Sequence, residues 1–581
     1  MHERSFARVG PMRAKLFFYV CALMAAFLTF RLYSVQIVDG SWLSQKALDQ
    51  SADTIDVFAR RGSILDRDGN VLVRSLPSQS IYAVPHDLRD PGGAVTQLER
   101  IVGTLSPQTI AAMHDRSLWF VWVARKVRAE ELARVRALHL DGVQIEQETT
   151  GKRFYAVGEM ASTVLGFVGV DETGLDGIEY ELDDLLKGRA GRVTLETDQF
   201  GRPLPFGHEW VAKAALPGIN VKVTLDSYLQ YVAEEALDAQ VKKYHALDGT
   251  AIVMDPWSGE ILAMADVPHF DPNRFSAYSD AARRDRAVMD AYEPGSTYKL
   301  VTAAAALESG SVSLEMRFPA RDTLEVGGRV IHNAEDGFIA STGASETLEQ
   351  IVKYSHNVGA AEVGMRIGAQ RFYDMEQRAG FGSPTDVELP GENPGIVPPP
   401  AQWSDSSLAT MAFGQGVSVT PIAMVRFYSA IANGGMLLRP RVLRELDDAN
   451  GAALYHYPTE IEHRVFSTRI AAELRAMLRA VVVSGTGNPT AQIPGYATAG
   501  KTGTAQMVVD GRYQPGAYAA SFIGMVPAEH PRYVIFVKLE RPIGAYYGGV
   551  VAAPVFTAIA RAAMIHDGVL PSTTKARAVA R

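Results

Sequence analysis

Residues 16–38 constrain the chain more than any other segment. Positions 16–30 read LFFYVCALMAAFLTF without a charge, and beyond Arg31 the apolar pattern continues through Leu32, Tyr33, Val35, Ile37 and Val38. A helix that crosses a bilayer needs about 20 largely apolar residues, so the run is long enough to span. Arg31 must then reach the interface along its aliphatic stem or face a partner helix instead of lipid. Arg4, Arg8, Arg13 and Lys15 precede the run, and Asp39, Asp49, Asp53 and Asp56 follow it. By the positive-inside rule, residues 1–15 form a cytoplasmic tail, 16–38 a single-pass transmembrane anchor, and the rest lies outside. No small-x-small cleavage site follows Phe30, which favours an anchor that is kept. The bulky Val20 before Cys21 disfavours a lipoprotein signal.

The 581 residues exceed one ordinary domain, and 47% hydrophobic with 21% charged residues is the balance of a folded chain. A net charge of −8 excludes a phosphate-backbone ligand, because nucleic-acid affinity rests on clustered Lys and Arg. With Cys21 the lone cysteine, no intramolecular disulfide or cysteine zinc cluster forms. The thirteen histidines contain no H-E-x-x-H pair, so no metal site is expected.

After the anchor, residues 61–70 read as strand, turn and strand, with Asp68-Gly69-Asn70 supplying the turn. Glycines and acidic residues at 166–191 mark a scaffold with a short helix. A second unit starts near Asn220. There Val221, Val223 and Leu225 alternate as a strand, and Leu229, Val232, Ala233, Ala236 and Leu237 recur at helical spacing. Residues 250–254 and 260–265 are strand-like runs joined by the hairpin signal Asp255-Pro256-Trp257-Ser258-Gly259. Residues 533–539 are strongly β-prone, and 555–565 are helical after Pro554. Strands and helices at both ends of this unit predict an α+β architecture, an antiparallel sheet covered by helices. Residues 567–581 read as a frayed basic tail.

Three motifs fall in this second unit: Ser296-Thr297-Tyr298-Lys299, Ser355-His356-Asn357 and Lys501-Thr502-Gly503. Leu300, Ala303, Ala304 and Leu307 continue the first as a helix, which puts Ser296 and Lys299 on one face. A serine hydroxyl becomes a nucleophile when a base takes its proton, and a lysine does so once burial or a nearby cation lowers its pKa. Ser355 offers a hydroxyl for proton relay, and Asn357 an amide that can hold a substrate peptide bond. Lys501 offers a fixed positive charge to bind a carboxylate and keep Lys299 neutral. Backbone N–H groups of Ser296 and Thr504 are the candidate oxyanion donors. Each motif alone has a plain structural explanation: a helix-capping serine, a chance S-x-N, a surface hairpin. Together and in this order, with Phe413-Gly414-Gln415-Gly416 between the last two, they specify acyl transfer.

The three motifs resemble the S-x-x-K, S-x-N and K-T-G signature of the penicillin-binding proteins and serine β-lactamases. The resemblance extends to class B penicillin-binding proteins through Arg61-Gly62-Ser63-Ile64-Leu65-Asp66-Arg67, residues 174–191, Glu293-Pro294-Gly295-Ser296-Thr297 and Ala499-Gly500-Lys501-Thr502-Gly503-Thr504-Ala505-Gln506. Ser521-Phe522-Ile523-Gly524, Tyr546-Tyr547-Gly548-Gly549 and Ala553-Pro554-Val555-Phe556 resemble the division-specific, FtsI-like branch. The resemblance implies a penicillin-binding transpeptidase fold at 221–566 and a mixed α/β pedestal of the dimerisation type at 39–220. Its implied catalytic residues are Ser296, Lys299, Ser355, Asn357 and Lys501, with Thr502, Gly503 and Thr504 binding substrate and no cofactor. It further implies a single-pass protein of the inner membrane, facing the periplasm, that cross-links peptidoglycan stem peptides at the septum. Its implied partners are a SEDS-family glycosyltransferase and other division proteins, with β-lactams as covalent inhibitors. The sequence departs from the branch at His356, where serine is usual, and at Ala156, where proline is common.

Rival readings remain open at this stage. An elongation-type class B enzyme or an idle penicillin-binding scaffold would share the fold, although three intact motifs argue against idleness. A deacylating β-lactamase needs a carboxylate placed to activate water, and none is evident. Residues 495–502 also satisfy the P-loop pattern G-x-x-x-x-G-K-[ST]. A working P-loop opens into a helix, however, and 504–509 reads as a strand.

Overall fold

The computed structural model describes residues 10–43, 46, 52–57, 59–148, 151–196, 209–334, 344–509 and 511–571. Arg4, Arg8, Asp49 and tail residues 572–581 therefore lie outside the described residues.

The described chain divides into two compact units. In the first, the helix Pro11–Tyr33 starts with proline in its first turn, where a missing N–H is harmless. It runs on through a π turn at Ser34–Val38. The 28-residue rod has a mean hydropathy of 1.8 over its most apolar stretch, and none of that stretch is buried. Apolar side chains on every face with no protein over them suit a lipid environment, and the length suffices to cross a membrane. The same unit holds a three-stranded antiparallel sheet, Ala52–Val57, Gly191–Glu196 and Glu209–Lys213 in that order.

The second unit comprises residues 60–188 and 217–571. Its amino-terminal part contains the predicted strand, turn and strand as Ile64–Leu65 and Val71–Leu76. Asp66 Oδ1 closes that turn by accepting from the N–H groups of Asp68 (3.0 Å) and Asn70 (2.8 Å). Arg61 is 1% exposed and donates to Glu179 Oε2 (2.8 Å), Asp183 Oδ1 (2.6 Å) and the Glu172 carbonyl (2.9 Å). Arg153 binds the other oxygen of Glu179 at 2.6 Å. Two features read from the sequence as parts of the pedestal, Arg61 and the acidic helix after Gly174, are thus halves of one ion network. The strand Asn220–Val223, at the predicted domain boundary, pairs parallel with Ile64–Leu65 and antiparallel with Leu443–Asp447.

The unit's five-stranded sheet comprises β1 (Asp248–Met254), β2 (Ile261–Val267), β3 (Ala499–Val509), β4 (Arg512–Val526) and β5 (Tyr533–Glu540). They lie in the order β2-β1-β5-β4-β3 with every pair antiparallel. Every residue of β1 and β2 is buried, as is β5 up to its last residue. Strands covered on both faces read as continuous apolar runs instead of alternating ones, which is how 250–254 and 533–539 read. Helix α1 (Ser227–Tyr244) packs on one face, and α2 (Lys299–Glu308) lies within the layer of helices on the other side. Further round the second face come α3 (Leu348–Tyr354), α4 (Asn357–Ile367), the wholly buried α5 (Pro421–Ala432) and α6 (Thr468–Ser484), while α7 (Ala553–His566) joins α1. The outermost strand, β3, borders a cleft beside the start of α2.

Candidate active site

Ser296 lies in a 3₁₀ turn, Gly295–Tyr298, that feeds α2. The sequence predicted a regular helix here. The tighter turn has three residues per revolution, so residues 296 and 299 eclipse one another. The turn is held from several sides. Gly295 (φ +53°) donates its N–H to the Gly414 carbonyl at 3.1 Å, and Gly414 (φ +81°) packs so closely that a Cβ there would stand 2.3 Å from the Gly295 carbonyl oxygen. Thr297 Oγ1 donates to the Pro294 carbonyl (2.7 Å), Tyr428 Oη to the Thr297 carbonyl (2.8 Å), and Tyr298 Oη to Glu376 Oε1 (2.8 Å). Ser296 itself stays half-buried, facing the cleft.

Lys299 is 1% exposed, and its Nζ lies within hydrogen-bond distance of Ser296 Oγ (3.1 Å), Ser355 Oγ (3.2 Å), Asn357 Oδ1 (2.8 Å) and the Ser355 carbonyl. Lys501, fully buried on β3, reaches Ser355 Oγ at 3.0 Å and the Thr502 carbonyl at 3.0 Å. One hydroxyl therefore joins two lysines. Ser355 presents both its Oγ and its carbonyl because it adopts a left-handed conformation, φ +64°, between α3 and α4. A non-glycine residue held there stores strain. Asn333 Oδ1 secures the next turn by accepting from the N–H groups of Asn357 (2.9 Å) and Val358 (3.1 Å). The Asn357 amide, read from the sequence as a substrate holder, has its oxygen on Lys299 and one N–H on the His332 carbonyl (3.0 Å).

Burial away from water, reinforced by the neighbouring Lys501, pushes the Lys299 amine well below the ordinary lysine range, while Glu346 opposes the shift. Burial alone lowers Lys501 to about 7. A buried amine without a contacting carboxylate gives up its proton more readily than one in water.

A cleft of about 480 Å³ opens over this cluster, lined by Ser296, Asn357, Thr486, Thr502, Thr504 and Tyr547 among others. Thr502 Oγ1 meets Thr486 Oγ1 at 2.8 Å, and Thr504 Oγ1 accepts from the Gly548 N–H at 3.2 Å. Lys299 and Lys501 lie beneath the lining. Gly503 is buried, turned toward Thr297, Pro294 and Ser521, where a Cβ would stand 2.3 Å from Ser521 Oγ. Its lack of a side chain lets β3 approach the turn that carries Ser296. Lys501 within a strand, with no helix after it, excludes the P-loop reading. Asn333, Thr486 and Glu346 escaped the sequence reading, since each enters from a loop or strand outside the three motifs.

A serine bonded to a buried, easily neutralised lysine, on an antiparallel sheet enclosed by helices, defines a serine acyltransferase of the penicillin-recognising kind. The family described as Penicillin binding protein transpeptidase domain matches residues 249–561, and the Penicillin-binding Protein dimerisation domain matches 56–223. The chain belongs to the class B penicillin-binding proteins and is a serine D-Ala-D-Ala transpeptidase of peptidoglycan. It is 34% identical over 548 residues to Stage V sporulation protein D of Bacillus subtilis, covering 93% of this chain and 83% of that one. It is 32% identical over 554 residues to Peptidoglycan D,D-transpeptidase FtsI of Escherichia coli K12, covering 93% and 89%. Penicillin binding protein 3 of Mycobacterium tuberculosis, solved with aztreonam, superposes with a TM-score of 0.69 at 30% identity, covering 89% of this chain and 98% of that one.

Proposed function

We propose that Ser296 is the acylated nucleophile and Lys299 its general base. The observation that carries the reading is the Lys299 amine, buried and bonded to Ser296 Oγ at 3.1 Å. Lys299 takes the Ser296 proton as Oγ attacks the penultimate D-Ala carbonyl of a donor stem peptide. The C–N bond to the terminal D-Ala breaks, and the proton leaves on that amine. An acceptor stem's amine then attacks the ester, its surplus proton returns to Ser296 Oγ, and a new amide bond forms. Ser355 passes protons between the two lysines. Asn357 steers Lys299 and donates its remaining amide N–H to substrate. Lys501 and Thr502 receive the substrate carboxylate, Gly503 lets β3 close on the turn, and the backbone N–H groups of Ser296 and Thr504 hold the oxyanion.

Residues 39–220 serve as pedestal and 221–566 as transpeptidase domain. The charges flanking the apolar helix support a cytoplasmic amino terminus and an external catalytic domain. The FtsI-like segments at 521–524 and 546–556 support work at the septum, beside a SEDS-family glycosyltransferase and other division proteins. The test is covalent labelling by a fluorescent penicillin, with the adduct located by peptide mass. Stable label on Ser296, absent from Ser296→Ala and Lys299→Ala, is the expected result, and label elsewhere on a folded chain refutes it. For the septal role, a fluorescent fusion should concentrate at division sites, and an even distribution over the side wall refutes it.

A further inference from the structure

We propose that Glu346, acting through His356, is a positioning residue that fixes the Ser355–Asn357 turn around the Lys299 amine. The proposal rests on the reading of Lys299 as the base. Glu346 lies in the short strand Ser345–Thr347 just before α3, 1% exposed, and its Oε2 bonds His356 Nδ1, itself 3% exposed. His356 stands between the two residues whose oxygens hold Lys299, so whatever fixes its ring fixes Ser355 and Asn357. Tyr354 stacks on that ring with centroids 5.8 Å apart, and the His356 N–H is tied to the Ile351 carbonyl at 3.1 Å.

The helix beyond is shaped to admit the carboxylate. Gly359, in the first turn of α4, lies against Glu346 so closely that a Cβ there would stand 2.4 Å from Glu346 Oε1. Glutamate, histidine and glycine thus form one fitted set, and a serine at 356 would not span the gap that the imidazole fills. The charged groups around Glu346 are His356 from the turn, Lys299 from α2 and Glu362 from α4. Glu362 is itself 3.9 Å from Arg321, and Lys501 is the second amine of the site. With two buried amines competing to lose their protons, a buried carboxylate restrains Lys299 from falling further and keeps its base strength.

The test is the second-order rate of acylation by a fluorescent penicillin from pH 5 to 10, in the full-length protein in detergent. Wild type is compared with Glu346→Gln, Glu346→Asp, His356→Ser and the double variant E346Q/H356S. We expect Glu346→Gln to lower the plateau about tenfold and to move the acid limb, where Lys299 loses its proton, about half a unit toward lower pH. Glu346→Asp should recover part of the plateau. The double variant should be no slower than the slower single one, because the pair acts as a unit. The assignment is overturned by a Glu346→Gln profile that superposes on wild type, or by a lowered plateau with an unmoved limb and additive losses in the double variant, which is the signature of packing alone. Were Glu346→Gln not to fold, the plateau of His356→Ser decides: a rate equal to wild type overturns the proposal and a tenfold loss supports it. A wild-type chain never acylated at Ser296 refutes the reading of the base, and this assignment with it.

Discussion

Replacing Gly503 by alanine tests how closely β3 must approach the nucleophile. The added Cβ would meet Ser521 Oγ at 2.3 Å, Thr297 Cγ2 at 3.0 Å and the Pro294 carbonyl oxygen at 3.2 Å. The first is the end of a side chain that can rotate. The other two belong to the turn that carries Ser296, so they yield only if β3 moves outward by a few tenths of an ångström or the turn moves inward. Overpacking of this kind costs about 1–3 kcal/mol of stability. The kinetic penalty is of similar size, because Lys501 and Thr502 travel with the strand: a displacement of about 1 Å costs on the order of 100-fold in rate, so one of a few tenths of an ångström costs on the order of tenfold, or about 1.4 kcal/mol of barrier. The assay is penicillin acylation alongside thermal unfolding: Gly503→Ala should acylate about tenfold more slowly while still unfolding cooperatively. Adding Ser521→Ala removes the closest clash and should restore about threefold of the loss. A Gly503→Ala protein that acylates within about twofold of wild type would show that the strand has room to spare and refute the reasoning.

Three further outcomes follow from the buried charges. Acylation should rise with pH as Lys299 becomes neutral, with a second inflection near Lys501's value of about 7; a rate independent of pH between 5 and 9 refutes the lysine base. Glu376 is pushed up to about 8 by burial, despite the hydrogen bond from Tyr298. The folded state then holds a proton that the unfolded state releases, so its contribution to stability is full below the ordinary glutamate range and is lost as pH rises through about 8. Glu376→Gln, whose amide oxygen can still accept from Tyr298, should therefore match wild type in unfolding at pH 4 and exceed it at pH 9, and the reverse order refutes this. Arg61→Met leaves the Glu179 carboxylate with Arg153 alone and strands Asp183, and should cost about 3–5 kcal/mol in denaturant unfolding; a change under about 1 kcal/mol would mean the network is structurally idle.

Local pattern carried the motifs and the ends of the fold. Residues 250–265 announce their hairpin through a Pro-Gly turn between apolar runs, 533–539 a covered strand, and Ser296 with Lys299 a shared helical face. What pattern could not carry is whatever depends on partners far along the chain. The left-handed Ser355 carries no glycine or asparagine to mark it, since its conformation is imposed by Lys299, Lys501 and the caps of two helices. The near-neutral Lys501 follows from complete burial, which three letters, K-T-G, do not reveal. Glu346 is ten residues before His356, and their contact forms because α3 folds the chain back on itself. Asn220 was legible as the start of a strand, yet that this strand has partners from both sides of the predicted boundary was not.

That strand has a mechanical meaning. Hydrogen-bonded to Ile64–Leu65 on one edge and to Leu443–Asp447 on the other, Asn220–Val223 is a weld and not a hinge. Residues 60–188 and the catalytic domain must tilt as one body, and a pull on the former reaches the latter without slack. A chain that began after Val223 would lose more than its base: it would expose the edge of Leu443–Asp447, a strand template open to pairing with its neighbours in solution.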